Sequence, residues 1–262
     1  MTRVGKCPCG ETVEHESYPD LGVFAHILED SPIVCAQCAA RRERAKAEHR
    51  RRTEAERARR REEWERRLFR EQVETALPPA LTHWRLDRLD TEGRRHAVEA
   101  ARRWVQDRVP GLVLLGDVGR GKTSLAAAAA VAWIENHLHD PIPRWMPVTE
   151  AVSHLGRVFG DETRERTLRA LTTNTGPLIL DDLDKAKPSA RVAETVFTAV
   201  DGCLTHLRPF LVTMNATPAQ LAKSWPEEHG KAIASRLNEC ELHKVTGPDR
   251  RLTMLTDGGG GR

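Results

Sequence analysis

With 262 residues and 39% apolar content, the chain has room for one substantial domain and a smaller appendage, with part of its length left solvated. No run of 18 apolar residues occurs and no apolar N-terminal stretch ends in a cleavage site, so a membrane span and a secretory signal are not expected; a cytoplasmic setting is, where six cysteines read as thiols or metal ligands before disulfides. The net charge of +3 hides a segregation: residues 41–70 hold 14 Lys/Arg against 7 Asp/Glu, a surplus of +7, which leaves −4 for the remainder.

The head, residues 1–40, carries Cys7-Pro-Cys9 and Cys35-Ala-Gln-Cys38 with 25 residues between the pairs. Two close pairs suit a tetrahedral zinc site, whose metal supplies the stability that so short a segment cannot draw from a core. The first pair is C-x-C, less usual than C-x₂-C, so His15 or His26 is an alternative to one thiolate, and unliganded thiols are the alternative to a metal. Residues 41–77 come next, rich in Arg and Glu and free of Gly and Pro, and predict a long helix. Apolar heptad positions are missing until Trp64, Leu68, Phe69 and Val73, so the pattern is not that of an ordinary coiled coil. Such a helix fits a solvated spacer laced with i,i+4 ion pairs, a contact for nucleic acid or a partner protein, or both.

Pro78-Pro79 closes the helix, and from about 78 to 256 helix and strand signals alternate as a doubly wound parallel sheet requires. A helix is predicted over Glu92–Arg108, then a strand over Gly111–Leu115. Directly after it stands Gly116-Asp117-Val118-Gly119-Arg120-Gly121-Lys122-Thr123-Ser124, continuing into an Ala-rich helix from Ser124 to about Leu138. This is the context of a phosphate-binding loop: glycines let the backbone turn around phosphate oxygens, and the loop runs into a helix N-terminus that favours anions. Lys122 is placed to reach the terminal phosphates of a nucleoside triphosphate and the Thr123 hydroxyl to ligate Mg²⁺.

Further strands are predicted over Arg144–Val148, with Thr149 capping the next helix, and at Leu178–Leu180, Phe210–Thr213 and Glu241–Val245; Pro218 after Thr217 marks a short helix. The strand at 178–180 ends in Asp181-Asp182, where the first carboxylate can hold Mg²⁺ and the second can orient or deprotonate water. The strand at 210–213 leads to Asn215, an amide suited to hold the lytic water near the γ-phosphate. Ala232-Ile-Ala-Ser-Arg236-Leu is a short helix whose arginine could reach a neighbouring subunit's γ-phosphate. Cys203 and Cys240 read as packed thiols, and Gly258–Gly261 as a flexible tail, residues 257–262.

Taken in order, Gly-x-x-x-x-Gly-Lys-Thr, Leu-Asp-Asp-Leu, Thr-x-Asn, Ser-Arg-Leu and Gly247-Pro-Asp-Arg-Arg251 resemble the bacterial replicative helicase loaders of the DnaC/DnaI type and the IstB-type transposition ATPases, a branch of the AAA+ superfamily. The resemblance covers about residues 78–256 and implies an α/β P-loop NTPase with a parallel sheet, helices on both faces and a reduced or absent lid. It further implies ATP and Mg²⁺ as cofactors beside zinc in the head. Position by position, Gly116, Gly121, Lys122 and Thr123 would bind phosphates and Mg²⁺, Asp181 would bind Mg²⁺, Asp182 would be the general base, Asn215 the γ-phosphate sensor and Arg236 a finger acting in trans. Arg251 is the candidate second sensor, because too little chain succeeds Arg236 for a helical lid. Met214 stands where the family usually has serine. The implied partners are a replicative helicase hexamer, single-stranded DNA and further copies of the chain joined across ATP, with no membrane. A transposition helper on duplex DNA and a zinc-dependent nucleic-acid-binding regulator with an ATP switch are the other readings; a metabolic kinase lacks an acceptor-substrate signature.

Overall fold

A computed structural model describes residues 2–16, 34–149, 176–185 and 188–250. They fall in two compact units, Met1–Trp64 and Glu65–Arg262.

The first unit opens with an antiparallel hairpin of β1 (Thr2–Lys6) and β2 (Thr12–Glu16), registered Thr2 opposite Glu16 and Lys6 opposite Thr12. Its turn is closed by Cys7 N–H on the Glu11 carbonyl and Gly10 N–H on the Cys7 carbonyl, both 2.8 Å. Helix α1 (Ala36–Ala76) starts five residues before the expected 41 and ends at 76, just short of Pro78. Its exposed face carries pairs such as Lys46–Glu43 at 2.8 Å and Arg52–Glu48 at 3.1 Å, which solvent screens and which add little to stability. Only from Phe69 onward does α1 meet a core, with Val73 and Ala76 buried.

The second unit is built on a five-stranded, all-parallel sheet: β3 (Gly111–Leu115), β4 (Arg144–Pro147), β5 (Leu178–Asp181), β6 (Phe210–Met214) and β7 (Glu241–Lys244), in the order β4-β5-β6-β3-β7. Helices α2 (Arg95–Asp107) and α3 (Lys122–Asn136) cover one face, burying Trp104, Leu125 and Ile134 against Leu112, Leu114, Ile179 and Leu211. On the other, α4 (Ala190–Thr205), α5 (Pro218–Ser224) and α6 (Glu227–Asn238) pack on Val113, Leu178, Leu180, Phe210 and Val212. Being buried on both faces, the central strands are continuous apolar runs rather than alternating ones. Residues Ala126–Ala130 are fully buried and carry little bulk, which lets α3 lie close on the sheet.

Hairpin β1–β2 was not expected, α3 begins at Lys122 rather than Ser124, and further elements of the second unit differ from expectation. α2 begins at Arg95 rather than Glu92, because Asp90 Oδ1 accepts the Glu92 N–H at 2.9 Å and the Thr91 carbonyl that of Arg94 at 3.0 Å, a turn that competes with the helix. The helical backbone after β4 begins at Val148, one residue before the expected cap at Thr149, and residues 150–175 lie outside the described ones. The segment around Arg236 is a full 12-residue helix, α6, rather than a short one. Helix α4 has no counterpart among the elements expected from sequence. Thr217-Pro218 opens α5 as expected, with a reciprocal capping box to Gln220. Among the described residues no helix is long and apolar enough to cross a membrane.

Candidate functional site

Parallel strands deliver their C-terminal ends to one edge, and there the loops after β3, β5 and β6 meet. The loop from Gly116 to Gly121 connects β3 to α3. At Gly116 a side chain would run into the Val245 carbonyl, and Gly121, the N-cap of α3, has φ +83° with the Arg94 guanidinium packed beside it. Both positions exclude a Cβ, so the glycines are demanded by packing as well as by ligand approach.

Lys122 is buried, and its ammonium donates to the carbonyls of Gly116 (2.7 Å) and Asp117 (2.8 Å) and to Asn215 Oδ1 (2.7 Å). Burial lowers its pKa, against the opposing pull of Asp182 and Asp184. Thr123 Oγ1 donates to Asp181 Oδ1 at 3.0 Å, and Thr213 Oγ1 donates to the same oxygen at 2.6 Å. Burial raises the Asp181 pKa, which the Thr213 hydroxyl counteracts. Asp182, with φ +56°, donates its N–H to Thr213 Oγ1 at 2.9 Å, and its Oδ2 pairs with Lys185 at 2.5 Å. A cavity of about 520 Å³ joins these residues: Gly119, Gly121, Lys122, Thr123, Asp182 and Asn215 line it, along with Val118 and Ser124. That volume lies in the range of small-molecule sites.

Most of the expected set is therefore brought together: Gly116, Asp117 and Asp181 stand behind the cavity wall, bonded to Lys122 or Thr123, and two arginines are not placed there. Arg236 does not line the cavity; on α6 it sits 2.7 Å from Asp201 and 2.9 Å from Glu239, which raise its pKa further. Arg251 lies outside the described residues, as do His26 and the 257–262 tail. Its neighbour Arg250 does line the cavity, with its N–H on the Gly119 carbonyl at 3.0 Å and its guanidinium on Asp90 and the Glu92 carbonyl. Arg120 reaches the Gly247 carbonyl and lies 3.8 Å from Asp117.

Besides Arg250, sequence reasoning did not place Arg94, Trp84 or Asp184 at the site. Arg94, 3% exposed, donates to the carbonyls of Asp90 (2.6 Å) and Gly121 (3.3 Å); burial and the neighbouring Arg250 bring its pKa down to about 10. Trp84 adds an aromatic wall to the cavity. Asp184 accepts from the backbone N–H of Asn215 at 2.9 Å and from its side-chain amide at 3.3 Å. A buried arginine beside a phosphate loop carries no local signal, because the loop carbonyl it holds is 27 residues away.

In the first unit, the sulfur atoms of Cys7, Cys9, Cys35 and Cys38 all lie within 4.8 Å of one another, with Cys9 and Cys35 3.6 Å apart. Four thiolates around a tetrahedral Zn²⁺ at about 2.3 Å stand about 3.8 Å from each other, so the donor set and spacing fit that ion. The backbone N–H groups of Cys9 and Cys35 lower the Cys7 pKa to about 6, whereas Glu11 pushes the Cys35 thiol up and Cys9 does the same to Cys38, so without a metal the negative charge gathers on Cys7. The thiol quartet is complete without a histidine from the head.

No protein-family model matches the sequence, nor does any curated protein. Solved structures do resemble it: DnaI, at 25% identity over 67% of this chain and 94% of that one, with a TM-score of 0.57, and the DnaC helicase loader, at 21% identity over 64% of this chain and all of that one, with a TM-score of 0.55. AMPPCP-bound DnaA from Aquifex aeolicus shares 16% identity over 69% of this chain, which spans 55% of the DnaA chain, at a TM-score of 0.55. The five-stranded parallel sheet with helices on both faces is the AAA+ ATPase fold of these proteins, and the chain resembles the DnaC/DnaI-type loaders among them.

Proposed function

We propose that this chain binds and hydrolyses Mg–ATP and uses the nucleotide to load or recruit a replicative DNA helicase hexamer onto single-stranded DNA, in the cytoplasm of a bacterial host. The observation that carries the ATPase part is the convergence of Lys122, Thr123, Asp182 and Asn215 at one cavity, with the buried Asp181 bonded to Thr123 beside it. The loader part draws on the likeness to DnaI and the DnaC helicase loader.

In this reading Lys122 leaves its loop carbonyls to hold the β- and γ-phosphates, and Arg94 and Arg250 add positive potential beside the loop. Thr123 and Asp181, already in contact, would hold Mg²⁺, which supplies charge neutralisation to the phosphates. Asp182 orients the attacking water and takes its proton; Lys185 holds Oδ2, leaving Oδ1 as the accepting oxygen. Asn215 positions that water at the γ-phosphate. Arg236 acts on the site of a neighbouring copy, which its place outside its own cavity permits, and must first leave Asp201 and Glu239. Replacing it with Ala should cut hydrolysis by about 10³ to 10⁵ with ATP affinity nearly unchanged; loss of binding itself would contradict the role.

Zinc held by Cys7, Cys9, Cys35 and Cys38 supplies a structural cross-link, leaving the head to dock on the helicase. Helix α1 offers the nucleic-acid contact. At 100° per residue Arg42, Lys46, Arg50, Arg57 and Arg60 fall within an arc of about 80° that contains none of the acidic residues between 41 and 64. On single strands each phosphate these residues neutralise steepens the log–log salt dependence by about −0.7.

The deciding experiment is co-elution with the host's replicative helicase, with and without ATP and Mg²⁺, beside Lys122→Ala. A nucleotide-dependent complex lost in the variant is the expected result. Absence of any complex under every nucleotide condition overturns the loader reading while leaving the ATPase assignment to be measured directly.

A further inference from the structure

Asp181 and Asp182 are the carboxylates that stand out in the sequence, yet Asp184 makes more contacts to the β6 edge of the site than either. It lies in the 3₁₀ turn Leu183–Lys185, directly after β5. One of its oxygens accepts the backbone N–H of Asn215 at 2.9 Å and the other that of Ala216 at 2.9 Å. The Asn215 side-chain Nδ2 donates to the same carboxylate at 3.3 Å. On its far side the Asn215 amide accepts, through Oδ1, from Lys122 Nζ at 2.7 Å.

This arrangement removes a freedom that an asparagine otherwise keeps. A primary amide presents an acceptor on one side and donors on the other, and a half-turn about χ2 exchanges them. Here one neighbour is a carboxylate, which only accepts, and the other an ammonium, which only donates. The two together admit a single orientation of the amide, and the backbone bonds from Asn215 and Ala216 anchor the end of β6 on the same two oxygens. The line Asp184–Asn215–Lys122 thus ties the turn after β5, the tip of β6 and the first residue of α3 together.

We propose that Asp184 is a positioning residue for hydrolysis at this site: it fixes the polarity and place of the Asn215 amide, and through it the geometry with which the tip of β6 meets the terminal phosphate and its water. The proposal rests on the Mg–ATP reading of the cavity. An amide in place of the Asp184 carboxylate can offer only one acceptor where two backbone donors and a side-chain donor converge, so its NH₂ faces an N–H and Asn215 is released to turn. Asp184 acts on the phosphate-binding loop only through its charge on Lys122 and through Asn215, so the change in nucleotide affinity should be small beside that in turnover.

The test is steady-state ATP hydrolysis by the full chain with Mg²⁺ and single-stranded DNA, comparing wild type, Asp184→Asn, Asn215→Ala and the double variant. Asp184→Asn is expected to lower kcat by about 10- to 100-fold while KM stays within about threefold, the loss typical of misplacing a group by roughly an ångström. Because Asp184 acts through Asn215, the double variant should turn over no more slowly than Asn215→Ala alone. A general loss of structure would instead lower kcat further when the two changes are combined. Should Asp184→Asn fail to fold, Asp184→Ser, which keeps a short acceptor, takes its place under the same comparison. Wild-type kcat in an active Asp184 variant, or losses that multiply in the double variant, would overturn the positioning role alone. A folded wild type with no hydrolysis at all would overturn the ATPase reading and this proposal with it.

Discussion

In the described part of the first unit only Cys7 and Cys35 are buried apolar side chains, whereas the second unit buries more than one layer of them on each face of its sheet. The hairpin β1–β2 has charged and polar residues along its length, and most of α1 is exposed. On the zinc reading proposed above, one unit would hold its shape through four thiolates on a metal and the other holds it through close packing, so the two should answer to different perturbations. The comparison is broken most sharply at that proposed zinc site. Zinc in such sites contributes on the order of 10 kcal/mol to folding. Chelation, or Cys35→Ser, should therefore unfold the hairpin and open its backbone to protease, with the melting transition of residues 65–250 unmoved; bound zinc in the untreated protein should measure one per chain. A head that resists chelation would show that something other than the thiols holds it.

The converse perturbation is Trp104→Ala. Trp104 is fully buried on α2, stacks obliquely on Trp133 with centroids 5.3 Å apart, and donates Nε1–H to the Phe210 carbonyl at 3.0 Å. Truncating it leaves a cavity and takes one donor from the Phe210 carbonyl, and should cost about 3–5 kcal/mol. In urea the transition of the α/β unit should shift accordingly while zinc content stays at one per chain. A loss of zinc in this variant would mean that the two units fold as one.

The same contrast explains what could be read without coordinates. The sheet was legible where strands are buried on both faces: Gly111–Leu115, Leu178–Leu180 and Phe210–Thr213 are short apolar runs with glycine, proline, carboxylate or amide signals at their ends. Asp181, Asp182 and Asn215 were legible for the same reason, each standing at the C-terminal end of such a run. Helix α4 carried a signal that went unused, since Val192, Ala193, Val196, Ala199, Val200 and Cys203 recur at helical spacing after Ser189. Hairpin β1–β2 carried none, because nothing in Thr2–Lys6 alternates. Asp184, Arg94 and Arg250 belong to a third kind. Their partners lie 31, 27 and up to 160 residues away, and no local pattern encodes a bond of that separation. The thiol quartet is the exception among long-range features, since cysteine spacing announces a shared metal across 25 intervening residues.

A smaller effect of opposite sign separates site from scaffold within the second unit. Asp181 is buried, and its pKa is raised by that burial. A carboxyl whose folded pKa lies above its unfolded value opposes folding once ionised: the penalty is full above the raised pKa and disappears as pH falls through it towards the unfolded value of about 3.8. Asp181→Asn removes the charge yet keeps an oxygen to accept from Thr123 and Thr213, both of which now donate to Oδ1. The variant should lose hydrolysis, having lost the oxygen that would hold Mg²⁺, and still melt at or above the wild-type temperature at neutral pH in the absence of nucleotide. Its advantage should shrink as the pH is lowered through the carboxyl's raised pKa. Groups that titrate alike in both proteins cancel in that difference, so a gap that does not change with pH, or a variant less stable at pH 7, would mean that the carboxylate is held for packing rather than retained, at a cost in stability, for the metal.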